Sequence, residues 1–402
     1  MSKLHRIYLD TAAATPLAPL VAVAMSAYSR RHFANPASLH GGGVMAARAL
    51  AIARARIATV LGAHPDEIVL TSGGTEANNL AILGVGLFVS KLWTRSVQVV
   101  TTAIEHASVL GAAKKLNTIF LPVNSEGLID LKKLAESLTA DTKLVSIIYA
   151  HNEIGTIQPI REIAKLIRHF NKNHSPSPGP YLHIDACQEP RFLDINVARL
   201  GVDLMTINAG KIYGPRGVGA LYVRRGVKLD SQLVGGGQEQ DRRAGTENVA
   251  GAIGLATALE ICEENKIQES ARLTKLRDKL TVGLLKIDGV TLNGPLPDST
   301  TARLPNNVNV SVEGVEGEQL VLELDAHGIA CSTGSACASP DHDGGHVIMA
   351  LDSNDKEFAR ARALSAMRFT LGRDTTAADI RHVLKMVPEI IKKLRAANNL
   401  LK

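Results

Sequence analysis

Between residues 60 and 225 short apolar runs alternate with stretches whose apolar residues recur at helical spacing. Residues 67–71, 97–102, 119–123, 144–149, 181–185, 203–207 and 219–223 read as strands. Their runs are near-continuous and β-branched, the pattern of strands buried on both faces. Residues 75–92, 106–116 and 160–170 read as helices. This alternation predicts a mostly parallel, seven-stranded sheet covered on both faces. Residues 246–285 are rich in Ala and Leu and read as a long helical stretch with one break. After it the pattern changes to a strand at 307–311, a helix at 318–327, a strand at 367–371 and a closing helix at 377–394. Pro388 should kink or shorten that last helix, because proline has no N–H and its ring collides with the preceding turn. The expectation is an α/β large domain over residues 16–260. A smaller α+β domain takes residues 1–15 and 261–402, with the boundary inside the long helix.

Composition narrows the class. Of 402 residues, 45% are hydrophobic and 21% charged, the balance of an ordinary globular protein. The net charge of +6 is scattered, and aromatics are only 3%, so no nucleic-acid surface is expected. No run is long and apolar enough to cross a membrane, and the first residues have no apolar signal core. Four cysteines do not make a disulfide framework, which fits reduced thiols and a cytoplasmic setting.

Three segments carry candidate chemistry. In Val69-Leu-Thr-Ser-Gly-Gly-Thr-Glu-Ala-Asn-Asn79 a strand enters a glycine turn and then a helix. Gly74 and Thr75 sit where free amides and the helix dipole favour an anion. Walker and dinucleotide spacings are both absent, and taken alone such a turn is more often just a turn. Asp185 ends an apolar strand, where it either meets a ligand or caps the next turn. Lys211 follows a buried strand; shielded, it would be a nucleophilic amine, and otherwise it is a solvated lysine. Together, an anion cradle, a strand-end aspartate and a strand-end lysine are the parts that pyridoxal phosphate needs. A fourth segment, Cys331 to His346, holds Cys331, Cys337, Asp341, His342, Asp343 and His346. It reads either as a metal site or as a loop carrying one reactive thiol.

The chain resembles the cysteine desulfurases, in the class V aminotransferase group of fold-type I pyridoxal-phosphate enzymes. The resemblance rests on an ordered set of motifs running nearly end to end. They include Tyr8-Leu-Asp-Thr-Ala-Ala-Ala-Thr-Pro16, Asn35-Pro-Ala-Ser-Leu-His40, Thr71-Ser-Gly-Gly-Thr-Glu-Ala-Asn-Asn79, Glu105-His106, Asn152-Glu-Ile-Gly155 and His183-Ile-Asp-Ala-Cys-Gln188. The set continues with Lys211-Ile-Tyr-Gly-Pro-Arg-Gly217, Gly235-Gly-Gly-Gln-Glu239, Arg243-Ala-Gly-Thr-Glu-Asn248, Gly334-Ser-Ala-Cys337 and Arg368-Phe-Thr-Leu-Gly372.

The resemblance implies roles. Lys211 stands where the family has its cofactor-bearing lysine. Asp185 matches the partner of the ring nitrogen, Gln188 the donor to the phenolic oxygen and His106 the imidazole over the ring. Gly74, Thr75 and Asn208 match phosphate-binding positions, and Asn152 a residue near cofactor and substrate. Thr246 is similar to a threonine given to the neighbouring subunit's phosphate, which implies a homodimer with composite sites. Arg368 matches the clamp on the substrate carboxylate. Lys211, or an assisting group such as His106, would remove the Cα proton of L-cysteine. Cys337 would then take the sulfur as a persulfide, release alanine and pass the sulfur on. Iron–sulfur scaffold proteins and tRNA-thiolation enzymes are the acceptors the family implies.

The chain departs from the family at four places. Gly210 stands where histidine is usual, Asn208 where serine is usual, His151 replaces an asparagine, and residues 340–345 differ. Binding of the phosphate should therefore lean on Thr75, Asn208 and Thr246. Two other readings are a selenocysteine lyase or another pyridoxal-phosphate lyase or aminotransferase, which need no Cys337, and a non-catalytic metal-binding protein.

Overall fold

A computed structural model of the chain describes residues 6–92, 97–174, 179–297, 299–334, 345–351 and 355–400. The first half supplies strands β1 (Ile7–Tyr8), β2 (Ile68–Thr71), β3 (Gln98–Thr102), β4 (Asn117–Leu121), β5 (Thr142–Ile148), β6 (Tyr181–Asp185), β7 (Leu204–Asn208) and β8 (Gly219–Val223). Its helices are α1 (Pro19–Arg30), α2 (Gly41–Leu61), α3 (Gly74–Leu92), α4 (Ala107–Ala113), α5 (Leu131–Ser137), α6 (Ile160–His174) and α7 (Val197–Leu200). Helix α8 (Val249–Leu284) leads into β9 (Val290–Leu292), β10 (Asn307–Val312), α9 (Gly317–Ala326) and β11 (Ile329–Ala330). The chain ends with α10 (His346–Leu351), α11 (Lys356–Leu364), β12 (Ala366–Thr370) and α12 (Ala377–Leu400).

The main sheet has seven strands in the order β2-β8-β7-β6-β5-β3-β4. Only β8 runs antiparallel to its neighbours; the other adjacent pairs are parallel. Strands β2, β5 and β8 are buried at every position, because helices cover both faces and leave no face that tolerates polar alternation. One apolar core lies between the sheet and α2, α6 and α8, and a second between the sheet and α3 and α4. The last 120 residues build a separate core around the antiparallel β12-β10-β9 sheet, packed on α9, α12 and the far half of α8. Strand β1 pairs in parallel with β11 and so ties the chain's start to this third core.

Three expectations from the sequence need correction. The long helix has no break: α8 runs for 36 residues. Its first half is buried against the main sheet and Leu273, Leu280 and Leu284 against the other core, so tertiary packing on two cores holds it in one piece. Pro388 does not end α12, which continues to Leu400. Val387, Ile390 and Ile391 beside it are buried, and their packing offsets the lost hydrogen bond. The strand expected at 119–123 is β4 at Asn117–Leu121. Pro122 has no N–H to give to the ladder and so ends it.

Candidate active site

The carboxyl ends of β5, β6 and β7 and the amino end of α3 open on a cavity of about 300 Å³. Ala12 and Ala13 from the chain's start, and Gly334, His346 and Arg368 from its C-terminal part, complete its wall. Ligands of open α/β sheets bind at this edge, where loops leaving the strands diverge.

The cradle forms for local reasons. Between β2 and α3, Gly73 has φ +149°, which L side chains rarely adopt. A Cβ on Gly74 would come within 2.8 Å of Cys187 Sγ, so only glycine lets α3 start this close to the exit of β6. The first-turn amides of Gly74, Thr75 and Glu76 have no acceptor among the described residues, which makes this helix end a place for an anion. Asn208 ends β7, and its Oδ1 accepts from Gly210 N at 3.1 Å. Gly210 has no backbone need to be glycine: a Cβ there would meet Asn208 Oδ1 at 3.6 Å and Arg216 Cγ at 3.7 Å, ordinary contacts.

Asp185 lies at the end of β6, buried. Its carboxylate accepts from Asn78 Nδ2 at 2.7 Å and from Cys187 N at 3.2 Å. Lys211 lies one turn past β7, and its Nζ donates to Ala13 O at 2.5 Å. The turn after it is strained at Tyr213, whose φ is +63°. Tyr213 N donates to Thr15 Oγ1 at 2.7 Å, and the guanidinium groups of Arg191 and Arg373 lie over its ring, 5.0 and 4.3 Å from its centroid. These contacts hold the lysine turn in place. Gln188 Nε2 donates to Ala12 O at 3.1 Å.

Arg368 is 1% exposed. Its Nη2 pairs with Asp10 Oδ1 at 2.8 Å, and its Nη1 donates to Gly334 O at 2.9 Å and Asn152 O at 3.3 Å. Its Nε has no partner among the described residues. A buried guanidinium with an unmatched N–H at a cavity wall suits a carboxylate ligand.

His106 caps α4. Behind it, Glu105 Oε1 accepts from Thr102 Oγ1 at 2.7 Å and Ile148 N at 3.0 Å, while the buried Oε2 has no partner among the described residues. Burial pushes this carboxyl up to about 8, so it is neutral at pH 7. Burial also raises Glu153, against the pull of Arg368. His151 donates from Nε2 to Ile104 O at 2.6 Å and accepts from Glu153 N at 3.1 Å. Burial drives it down to about 3, so it is a neutral structural imidazole. Burial beside Asp185 raises the Cys187 thiol well above its ordinary range.

Lys211, Asp185, His106, Gly74, Thr75, Asn152, Gln188, Asn208 and Arg368 therefore share one cavity. Thr246 does not: it is exposed, just ahead of α8. Cys337 lies outside the described residues, as do Asp341, His342 and Asp343. Of the described residues close to it on either side, Gly334 and His346 line the cavity. Burial pushes the Cys331 thiol up to about 12. Among the described residues, no three His, Cys, Asp or Glu side chains cluster as metal ligands. No helix among them is long and apolar enough to cross a membrane. The residues that sequence reasoning left without a role are Asn78, Ser108, Glu105, Glu153 and Asp10. All but Ser108 stood inside the quoted motifs; Ser108 carried no local signal.

The cavity thus offers a place for a phosphate, a carboxylate to face a ring nitrogen and an amine to meet a carbonyl. Residues 7–383 match the aminotransferase class-V family. A protein named cysteine desulfurase IscS from Dictyoglomus turgidum is 43% identical over 397 residues, 97% of this chain and 96% of that one. One of the same name from Methanosarcina thermophila is 42% identical over 395 residues, 97% and 93% of the two. Among solved structures, a NifS-like protein superposes with a TM-score of 0.86 at 33% identity, over 96% of this chain and all of that one. A structure described as SspA in complex with cysteine gives a TM-score of 0.75 at 30% identity, over 91% and 98%.

Proposed function

The chain belongs to the aminotransferase class-V family, in its cysteine desulfurase branch, and we propose that it takes sulfur from L-cysteine, releases L-alanine and keeps the sulfur as a persulfide on Cys337. The family is pyridoxal-phosphate-dependent and has the fold-type I architecture. One observation carries the reading. Lys211, Asp185, His106 and the incompletely matched Arg368 converge on one cavity, and the residues flanking the Cys337 segment stand at its wall.

The residues present fit the cofactor: amides without acceptors at the start of α3 suit its phosphate, and a buried carboxylate faces the same cavity. Gly74, Thr75 and Asn208 would hold the phosphate, Asp185 the ring nitrogen, and Gln188 and His106 the ring. When bound, the cofactor supplies an electron sink for negative charge at the substrate Cα.

The chain's own groups do the rest. Arg368 binds the substrate carboxylate through its free N–H edge, with Asn152 beside it. Lys211 Nζ, as the neutral amine, takes the Cα proton and returns one to Cα before alanine leaves. The Cys337 thiolate attacks the substrate sulfur; the S–S bond forms as the Cβ–S bond breaks, and its electron pair stays on Cβ, which takes up a proton. A thiol near its ordinary pKa of ~8.5 is only a few per cent ionised at neutral pH, so any group that favours the thiolate speeds this step.

The active unit in this reading is a homodimer, with Thr246 of each chain reaching the other's phosphate. Exposed Leu20, Val23, Leu39, Val44 and Met45 on and between α1 and α2 support a second copy of this chain as partner. The persulfide then passes to an acceptor protein, an iron–sulfur scaffold or a tRNA-thiolation enzyme. The large domain spans residues 16–260, and residues 1–15 and 261–402 form the small one.

The test is incubation of the pyridoxal-phosphate-loaded protein with L-cysteine, reading alanine and sulfide together and the mass of the peptide bearing Cys337. Equal alanine and sulfur, with one added sulfur on that peptide, is expected. Undiminished alanine and sulfide from Cys337→Ala would overturn the reading.

A further inference from the structure

His106 is tied by a continuous hydrogen-bonded chain to the Asp185 carboxylate. Asn78 Nδ2 donates to Asp185 Oδ2 at 2.7 Å and to Ser108 Oγ at 2.9 Å. Ser108 Oγ lies 2.8 Å from His106 Nδ1, and Ser108 N donates to the same nitrogen at 3.2 Å. The direction of every link follows from the groups themselves. A backbone N–H only donates, so Nδ1 accepts. An amide nitrogen has two hydrogens, and Asn78 spends both, one on the Asp185 carboxylate and one on Ser108 Oγ. With a lone pair so engaged, Ser108 turns its own hydrogen to Nδ1.

The arrangement has a cost. Asn78 Oδ1 is buried without a partner among the described residues, and a buried polar atom left so costs stability. Folding alone gives no reason to keep a buried amide half-satisfied. Two donors aimed at Nδ1 also make a proton there unfavourable, because N–H groups would then face each other.

We infer that Asn78 and Ser108 are positioning residues that hold His106 as the Nε2–H tautomer, so that the imidazole meets the substrate as a hydrogen-bond donor and not as a base. Nε2 has no partner among the described residues, and His106 lines the cavity. Giving up this hydrogen entirely would leave an imidazolate, so the ring stabilises developing negative charge through a shared hydrogen. The Cα proton consequently goes to Lys211 alone. This deepens the desulfurase reading and rests on it.

The test uses the pyridoxal-phosphate-loaded protein with ¹⁵N-labelled histidine, without L-cysteine, so the tautomer is read independently of turnover. The expected spectrum has an unprotonated Nδ1 and a protonated Nε2 for His106. In Ser108→Ala the two ring-nitrogen shifts should move towards each other. kcat should fall by about tenfold, with cofactor content and KM for L-cysteine near wild type, and Ser108→Thr should recover both. A protonated Nδ1 in the wild type overturns the inference without any variant. So does Ser108→Ala with wild-type shifts, or with altered shifts and wild-type kcat. Absence of alanine from the wild-type protein would instead sink the desulfurase reading, leaving the tautomer measurement standing.

Discussion

Glu105 brings a carboxyl that is neutral at pH 7 into the cavity wall, and its titration should be visible in stability. In an unfolded chain a glutamate titrates near ~4.3; here burial raises it to about 8. The folded protein thus binds more protons than the unfolded chain between those values. The group's contribution is fully present below about pH 4 and is lost as pH rises through about 8. Glu105→Gln can keep an acceptor for Thr102 and Ile148 and cannot ionise. Its melting temperature relative to wild type should therefore climb between about pH 5 and about pH 8; a constant difference across that range would show that Glu105 does not titrate as described. At this scale much was legible. Lys211 and Asp185 were readable as candidates because an anion cradle, a strand-end aspartate and a strand-end lysine together suit one cofactor, and Arg368 through the family resemblance. Glu105 stood in a quoted motif but carried no sign of its ionisation state, which burial sets and neighbouring residues in sequence do not.

Among elements, α12 shows packing overruling a local rule. Pro388 sits inside the helix, removing the bond to Leu384 O that any other residue would donate. Pro388→Ala restores that donor, partly offset by the greater freedom of the unfolded chain. A gain of about 1–2 kcal/mol in chemical denaturation is expected, and a loss would mean that the ring's packing outweighs the missing bond. The same competition explains α8. Its Ala- and Leu-rich sequence named a helix, but its unbroken length depends on two cores that clasp its two halves. The strands were well marked because burial on both faces produces continuous apolar runs. The order in which they lie was not, because the alternation of β and α does not say that β8 inserts antiparallel between β2 and β7.

For the whole molecule, the apolar side chains on α1 and α2 are the feature a lone chain does not explain: Val23 is 72% and Leu39 97% exposed. If a second copy covers them, Leu20→Glu combined with Val23→Asp should halve the mass seen by sedimentation. It should also loosen the cofactor, because Thr246 would no longer reach a neighbour's site. A dimer of unchanged stability would place the interface elsewhere. The sequence by itself determined the class of fold and the family, since these depend on hydrophobic periodicity and an ordered set of short motifs; it offered the cradle and Lys211 as candidates from residue type and spacing, and Arg368 and Cys337 through the family resemblance. Tertiary structure alone decided which groups meet. Asp10 reaches Arg368 across 358 residues of chain, and Asn78 bridges Asp185, 107 residues away, to Ser108. Such partners are chosen by how distant strands and helices close around one core, and a hydrogen bond depends on that closure to within a few tenths of an ångström.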